Sequence, residues 1–300
     1  MNAFLFPGQG SQKIGMGQAA CAAFPEGAEY FERANEVLQY DLKSLCWNGP
    51  EETLTNTLHA QPALLTVGVL GFAWAASRGL KAEMTAGHSL GEYSALVAAG
   101  ALEFEEALRL VARRAELMSY AQPNSETAGA MAAIIGLEDD AVKALVEEVR
   151  ENRVLVAANF NAPGQVVVSG AADAIEDILR IAKPRGAKMA LKLPVSGAFH
   201  SPLMQHAGAE LSTLIEAAPI KEAQIPIYQN TSAAPATSPQ EIKAALIPQM
   251  TSAVRWTETI QAMIQNGATQ FYELGSGNVL TGLLKRIDKS VACETSDSWN

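Results

Sequence analysis

The chain has 300 residues, 48% of them hydrophobic and 18% charged, with a formal net charge of −10 at pH 7. That balance gives one large domain or two unequal ones with a sizeable core, and it argues against a disordered chain and against general nucleic-acid binding. No apolar run reaches the roughly 18 residues of a membrane span, the first residues lack the basic and apolar regions of a signal peptide, and Cys21, Cys46 and Cys293 are too scattered for a disulfide framework or a metal site, as expected of reduced thiols in a cytoplasmic protein.

Ala3–Phe6 reads as a short buried strand, broken by Pro7-Gly8-Gln9-Gly10-Ser11-Gln12. The third glycine of a dinucleotide fingerprint is missing there. Gly15-Met16-Gly17-Gln18-Ala19-Ala20 has that spacing but stands too far from the strand, so no nucleotide site is expected. The Gly8-Gln9-Gly10 backbone instead suits close approach to a ligand, with the Gln9 N–H as a donor. Gly17 to about Leu45 reads as helix interrupted near Pro25, Glu51–Leu58 as a short helix, and Gln61-Pro62 as the start of another. Ala63–Ser77 is apolar all round and, at 15 residues, reads as a core helix.

Met84-Thr85-Ala86 predicts a strand that leads into Gly87-His88-Ser89-Leu90-Gly91, followed by a helix that Gly100 ends. Strand, Gly-x-Ser-x-Gly and helix is the setting of an exposed nucleophile on a strained turn. The glycines relieve the turn, and the helix N-terminus places the Leu90 N–H as an oxyanion donor. Phe104 to about Ala121 is a further helix that carries Arg113 and Arg114; the pattern alone does not say which of them faces Ser89.

Between Thr127 and Pro194 the order becomes β-α-β-β-α-β, the split βαβ or ferredoxin-like order. Its strands are Met131–Ile135, Val154–Ala158, Gln165–Ser169 and Lys188–Leu193, with a four-residue turn over Asn161–Gly164. Strands at Ile225–Asn230 and Gln270–Leu274, among further helices, complete an α/β body of residues 1–126 and 195–300, with 127–194 as an insertion.

A serine hydroxyl needs a base. His88 adjoins Ser89 and points away from it in such a turn, His59 lies in a helix, and His206 stands six residues beyond His200, which is not a metal-ligand spacing. His200 sits in the Gly/Pro/Ser-rich loop 194–202 and follows the nucleophile in the chain. No acid stands in a matching loop, so a Ser89–His200 dyad is expected, with a backbone carbonyl able to hold the His200 Nδ1–H.

Five stretches in order, Phe6–Gln12, Gly87–Tyr93, Asn161–Gln165, Ala198–Ser201 and Gly275–Leu280, resemble the malonyl-CoA:acyl carrier protein transacylases of fatty acid and polyketide synthesis, over nearly the whole chain. The resemblance implies an α/β-hydrolase-like body with a ferredoxin-like insertion. It also implies a ping-pong transfer of malonyl from coenzyme A through Ser89 to the phosphopantetheine thiol of a carrier protein. His200 would be base and then acid, and Gln9 and Leu90 the oxyanion hole. Arg114 would clamp the malonyl carboxylate, and the Gln249 carbonyl would hold the histidine. Phe199 resembles the residue of malonyl-selective members, whereas Gly197 departs from the bulkier residue of polyketide-synthase relatives. The expected protein is a cytoplasmic monomer without cofactor, nucleic acid or membrane. Lys183, Arg185 and Lys188 are candidates for a basic patch facing an acidic carrier. A hydrolase that edits carrier-bound acyl groups, or a non-catalytic docking module, are the alternatives; an editing enzyme for neutral chains has no use for a buried arginine.

Overall fold

The structure, a computed structural model, describes residues 1–121 and 129–299, so the expected boundary at 126/127 lies outside the described residues. In chain order its strands are β1 (Asn2–Phe6), β2 (Met84–Gly87), β3 (Gly129–Ile135), β4 (Leu155–Ala162), β5 (Gln165–Ala171), β6 (Met189–Lys192), β7 (Ile227–Tyr228), β8 (Pro235–Ala236), β9 (Gln270–Glu273) and β10 (Ala292–Thr295). They form two sheets. The larger has the order β10-β9-β1-β2-β7-β8 and is parallel except for the β7–β8 pair. The smaller has the order β4-β5-β3-β6 and is antiparallel throughout.

β1 is central in the larger sheet, and its Ala3, Phe4, Leu5 and Phe6 are buried on both faces. A parallel strand covered on both sides reads as a continuous apolar run, which is why four residues sufficed to predict it. β2 pairs beside it, in register from Ala3–Met84 to Phe6–Gly87, and delivers the chain to Ser89 at the carboxyl edge of the sheet. Ligands of open parallel sheets bind at that edge.

In the smaller sheet Ala130, Ala132, Ile134, Val166 and Val168 face helices Asp139–Arg150 and Ala172–Ala182 and form a core of their own. Met131, Ala133 and Val167 alternate to the other face and join the main core. A short parallel bridge ties β4 of the smaller sheet to the segment that precedes helix Trp256–Gln265: Phe160 N donates to Val254 O (2.9 Å) and Val254 N donates to Ala158 O (2.8 Å).

Several boundaries differ from the sequence reading. The helical stretch over 17–45 is cut into Gln18–Ala23, a 3-10 turn Pro25–Gly27, Ala28–Leu38 and Leu42–Asn48. Gln39 takes a left-handed conformation (φ 59°), and Asp41 caps the next helix by accepting from Ser44 N. The short helix after it ends at Thr55. The core helix starts at Thr57, capped by Asn56, and runs 21 residues to Ser77 with Pro62 inside it. By length and composition alone this helix could cross a membrane, but most of it is buried in the fold. The hairpin between β4 and β5 turns on Pro163-Gly164 alone, with Gly164 at φ 72°, because β4 continues to Ala162. The strand expected over 225–230 shrinks to β7: Pro226 has no N–H for a ladder, and the polar groups of Asn230 are spent elsewhere. β8 and β10 carry no apolar alternation that would have announced them.

Candidate active site

Ser89 follows β2 directly and precedes helix Gly91–Ala98. Its φ is 50°, a left-handed conformation that costs a non-glycine residue free energy. Both flanking glycines are obligatory here. A Cβ on Gly87 would lie 1.9 Å from the Gly91 backbone, and one on Gly91 would lie 2.0 Å from Phe6 O. Asn230 holds the strained turn from beneath: its Oδ1 accepts from Ser89 N at 2.6 Å and its Nδ2 donates to Gly87 O at 2.7 Å.

His200 is also left-handed (φ 58°), in the turn before the 3-10 segment Pro202–Met204, which Ser201 caps. Its Nδ1 lies 2.9 Å from Gln249 O and 3.2 Å from Ser252 O. Both are acceptors, so Nδ1 carries the proton and Nε2 is bare. Nε2 stands 2.7 Å from Ser89 Oγ and accepts from that hydroxyl. Burial, and then the positive charge of Arg114, push the imidazole down to about 3. It is therefore a neutral acceptor at physiological pH.

The two arginines left open by the sequence separate cleanly. Arg113 is exposed and pairs with Glu116 and Glu210. Arg114 turns inward and is only 1% exposed. Its Nη1 donates to Gln61 Oε1 (2.6 Å), and its Nη2 to Ser89 Oγ (3.0 Å) and Gln249 Oε1 (3.1 Å). A guanidinium stays charged when buried, and among the described residues Arg114 has no ion pair. Gln249 lies in the 3-10 turn Ile247–Thr251, so its main chain faces His200 while its side chain reaches Arg114 and the carbonyl of Ser89. It sits beneath the serine and does not line the cavity.

Gln9 and Leu90 line the cavity above Ser89 with Phe199, which is 5% exposed. A Cβ on Gly8 would fall 2.6 Å from His88 O, so the glycine-rich loop approaches the serine turn itself. The Gln9 side chain donates to Thr57 Oγ1 at 3.0 Å. The cavity has a volume of about 590 Å³, and Met131, Val167 and Leu193 of the smaller sheet's side form an apolar wall. Asn159 and Asn161 also reach it, re-aimed by two irregularities in the β4–β5 ladder.

The other histidines stand apart from the serine hydroxyl. His88 shares a 2.8 Å hydrogen bond between Nε2 and Asn161 Oδ1, and its ring lies against Trp256. His59 packs edge-on to Tyr40, and His206 is exposed beside Glu210. The Gly275–Leu280 stretch serves the fold: buried Glu273 caps helix Val279–Ile287 by accepting from Leu280 N and Thr281 N. Lys183, Arg185 and Lys188 are exposed, with Arg185 paired with Glu148. The three cysteines are free thiols.

Sequence reasoning missed Gln61, Glu92 and Asn230. A buried polar side chain inside an apolar helix (Gln61), or right after the serine turn (Glu92), is the signal that could have found two of them.

A family model described as acyl transferase domain matches residues 3–296. The chain is 46% identical over 288 residues to the malonyl CoA-acyl carrier protein transacylase of Bacillus subtilis strain 168, covering 96% of this chain and 90% of that protein. It superposes with a TM-score of 0.94 and 43% identity on an acyl carrier protein S-malonyltransferase from Vibrio cholerae, over 98% and 96% of the two chains. The same TM-score, with 42% identity over 98% and 95% of the chains, relates it to PlMCAT:AntF, a type II PKS acyl-carrier protein in complex with its malonyl-transacylase.

Proposed function

The chain belongs to the acyl transferase domain family, and we propose that it carries malonyl groups from coenzyme A to the phosphopantetheine thiol of an acyl carrier protein. The observation that carries the reading is the convergence of His200 Nε2 and Arg114 Nη2 on one hydroxyl, that of Ser89. One partner takes the proton and the other is suited to a carboxylate.

In the first half-reaction Ser89 Oγ attacks the thioester carbonyl while its proton passes to His200 Nε2. The oxyanion receives the N–H groups of Gln9 and Leu90. As the intermediate collapses, the carbon–sulfur bond breaks and His200 returns the proton to the coenzyme A sulfur. The carrier thiol then repeats the sequence in reverse, giving up its proton to His200 and releasing Ser89. The backbone carbonyls of Gln249 and Ser252 keep the imidazole in one tautomer throughout, in place of an acid. The malonyl carboxylate pairs with Arg114. Nη1 has a second hydrogen beyond the one given to Gln61, and the Nη2 hydrogen given to Ser89 is freed when that oxygen becomes an ester. An Arg fork holds a carboxylate by two parallel bonds, which Lys does not reproduce. Phe199 crowds the space for an α-substituent, favouring malonyl over methylmalonyl.

We read the larger sheet as an α/β-hydrolase-like body, residues 1–126 and 195–300. The β-α-β-β-α-β segment 127–194, whose strands lie in the order fourth-first-third-second, is read as a ferredoxin-like insertion. The reading includes no cofactor, and a cytoplasmic monomer. Mixing the protein with malonyl-CoA and measuring intact mass tests it. A malonyl adduct that is absent from Ser89→Ala and is discharged by a phosphopantetheinylated carrier protein is expected; no adduct, or one that survives Ser89→Ala, refutes it. An adduct that water clears as fast as the carrier does points to the hydrolase.

A further inference from the structure

Glu92 lies three residues past the nucleophile, fully buried, and the transfer as described does not use it. Its Oε2 accepts from Gln249 Nε2 (2.7 Å) and from Asn230 N (3.3 Å). Its Oε1 has no hydrogen-bond partner among the described residues. Both partners also grip the serine turn. Gln249 Nε2 donates to Ser89 O at 2.9 Å, while the Asn230 side chain holds Ser89 N and Gly87 O.

A carboxamide has nearly the same shape when turned end for end, so its partners decide which end is which. Arg114 can only donate, and it faces Gln249 Oε1. At the other end two acceptors, Ser89 O and Glu92 Oε2, share Nε2. Without Glu92 a single carbonyl would oppose rotation, and a rotated Gln249 would set its N–H against the guanidinium. We propose that Glu92 is a positioning residue for the acyl transfer, fixing the orientation of Gln249 so that Arg114 and Ser89 keep their mutual geometry. This rests on the reading of Ser89 and Arg114 given above.

Burial raises the Glu92 carboxyl to about 7, against the hydrogen bonds from Gln249 and Asn230 and the Arg114 charge. A proton taken up near neutrality goes to Oε1, the oxygen without a partner, so Oε2 remains an acceptor in both forms. The charged or titratable groups around it are Arg114, Tyr93 and, across Ser89, His200.

The test is the rate of Ser89 loading from malonyl-CoA and acetyl-CoA, followed by intact mass, in Glu92→Gln, Glu92→Asp and Glu92→Leu. Gln keeps the acceptor without the charge; Asp keeps the charge but withdraws the acceptor; Leu removes both. The expected result is that Gln stays within about threefold of wild type. Asp and Leu lose about tenfold in malonyl loading, the worth of one buried hydrogen bond, and less in acetyl loading. Unchanged loading in Asp and Leu overturns the proposal, as does an equal loss on both thioesters in all three variants, or activity kept by Asp and lost by Gln. If Leu does not fold, the Gln and Asp pair decides alone. A wild-type protein that loads no malonyl refutes the functional reading instead, whatever the variants do.

Discussion

Ser89 and His200 both occupy left-handed backbone conformations, at φ 50° and 58°, and their Oγ and Nε2 atoms meet at 2.7 Å. Two strained residues brought to hydrogen-bond distance imply that the surrounding contacts over-determine them. For Ser89 those contacts include the close approach of Gly91 to the end of β1. Gly91→Ala must push the turn away from Phe6 O. A displacement near 1 Å at a nucleophile costs on the order of 10²-fold in rate. Malonyl loading of Gly91→Ala should fall by that factor while the protein remains folded by circular dichroism; loading at the wild-type rate would show that the turn absorbs a Cβ.

Acid should leave the chemistry of this protein level well below the range in which an ordinary histidine titrates. Since the His200 imidazole is held down to about 3, the base form persists well below the 6.5 of an ordinary histidine. Single-turnover malonyl loading should be level from pH 7.5 down to about 5.5. The unfolded chain does take up a proton on this residue below about 6.5, so the contribution of His200 to folding stability declines as pH falls through that region, opposite in sign to that of Glu92. Loading by the wild type, measured by quench over pH 5–8, beside thermal unfolding of the wild type and of His200→Gln in the same buffers, separates the two. A loading limb centred near 6.5 in a folded protein contradicts the assignment.

Arg114 should set the choice of acyl group. Replacement by Ala removes the charge-assisted partner of the carboxylate and opens apolar space beside Met118. Charged hydrogen bonds are worth about 1.5–3 kcal/mol each, so a paired loss lowers malonyl loading by about 10²-fold or more. Acetyl loading should rise relative to malonyl. Arg113→Ala, on the exposed side of the same helix, should leave both rates unchanged. Competition between the two thioesters, read by adduct mass, checks the pair; an unchanged malonyl/acetyl ratio in Arg114→Ala removes the clamp.

The part of this site that was legible in the sequence is the part whose constraint is local. Gly87 and Gly91 announce a turn around Ser89, and β1 announces itself by burial on both faces. His200 stood out because its loop is rich in turn residues. The choice between Arg113 and Arg114 needed the resemblance, because their helix carries one on each side of a boundary that apolar spacing only roughly marks. Asn230 and Gln249 were beyond local reading. Each is a polar residue beside a turn or helix end, and its meaning comes from a partner 141 or 160 residues away in sequence. The net charge of −10 hid the one positive group the chemistry needs, since that group is desolvated inside the fold.

Glu92→Gln should reveal what the buried carboxylate costs. The folded protein holds this carboxyl at about 7 against an ordinary 4.5. Between those values the folded state keeps a proton that the unfolded chain has lost, so wild-type stability from this group is present below about 4.5 and declines as pH rises to about 7. A shift of that size corresponds to roughly 3 kcal/mol. Glutamine does not ionise and escapes the penalty. The stability of Glu92→Gln relative to wild type, from urea unfolding, should therefore grow between pH 5 and pH 8 by an amount of that order, with the larger difference at the alkaline end. A difference that is constant across that range would mean that the carboxylate is ionised throughout, its charge balanced by Arg114 through the Gln249 carboxamide.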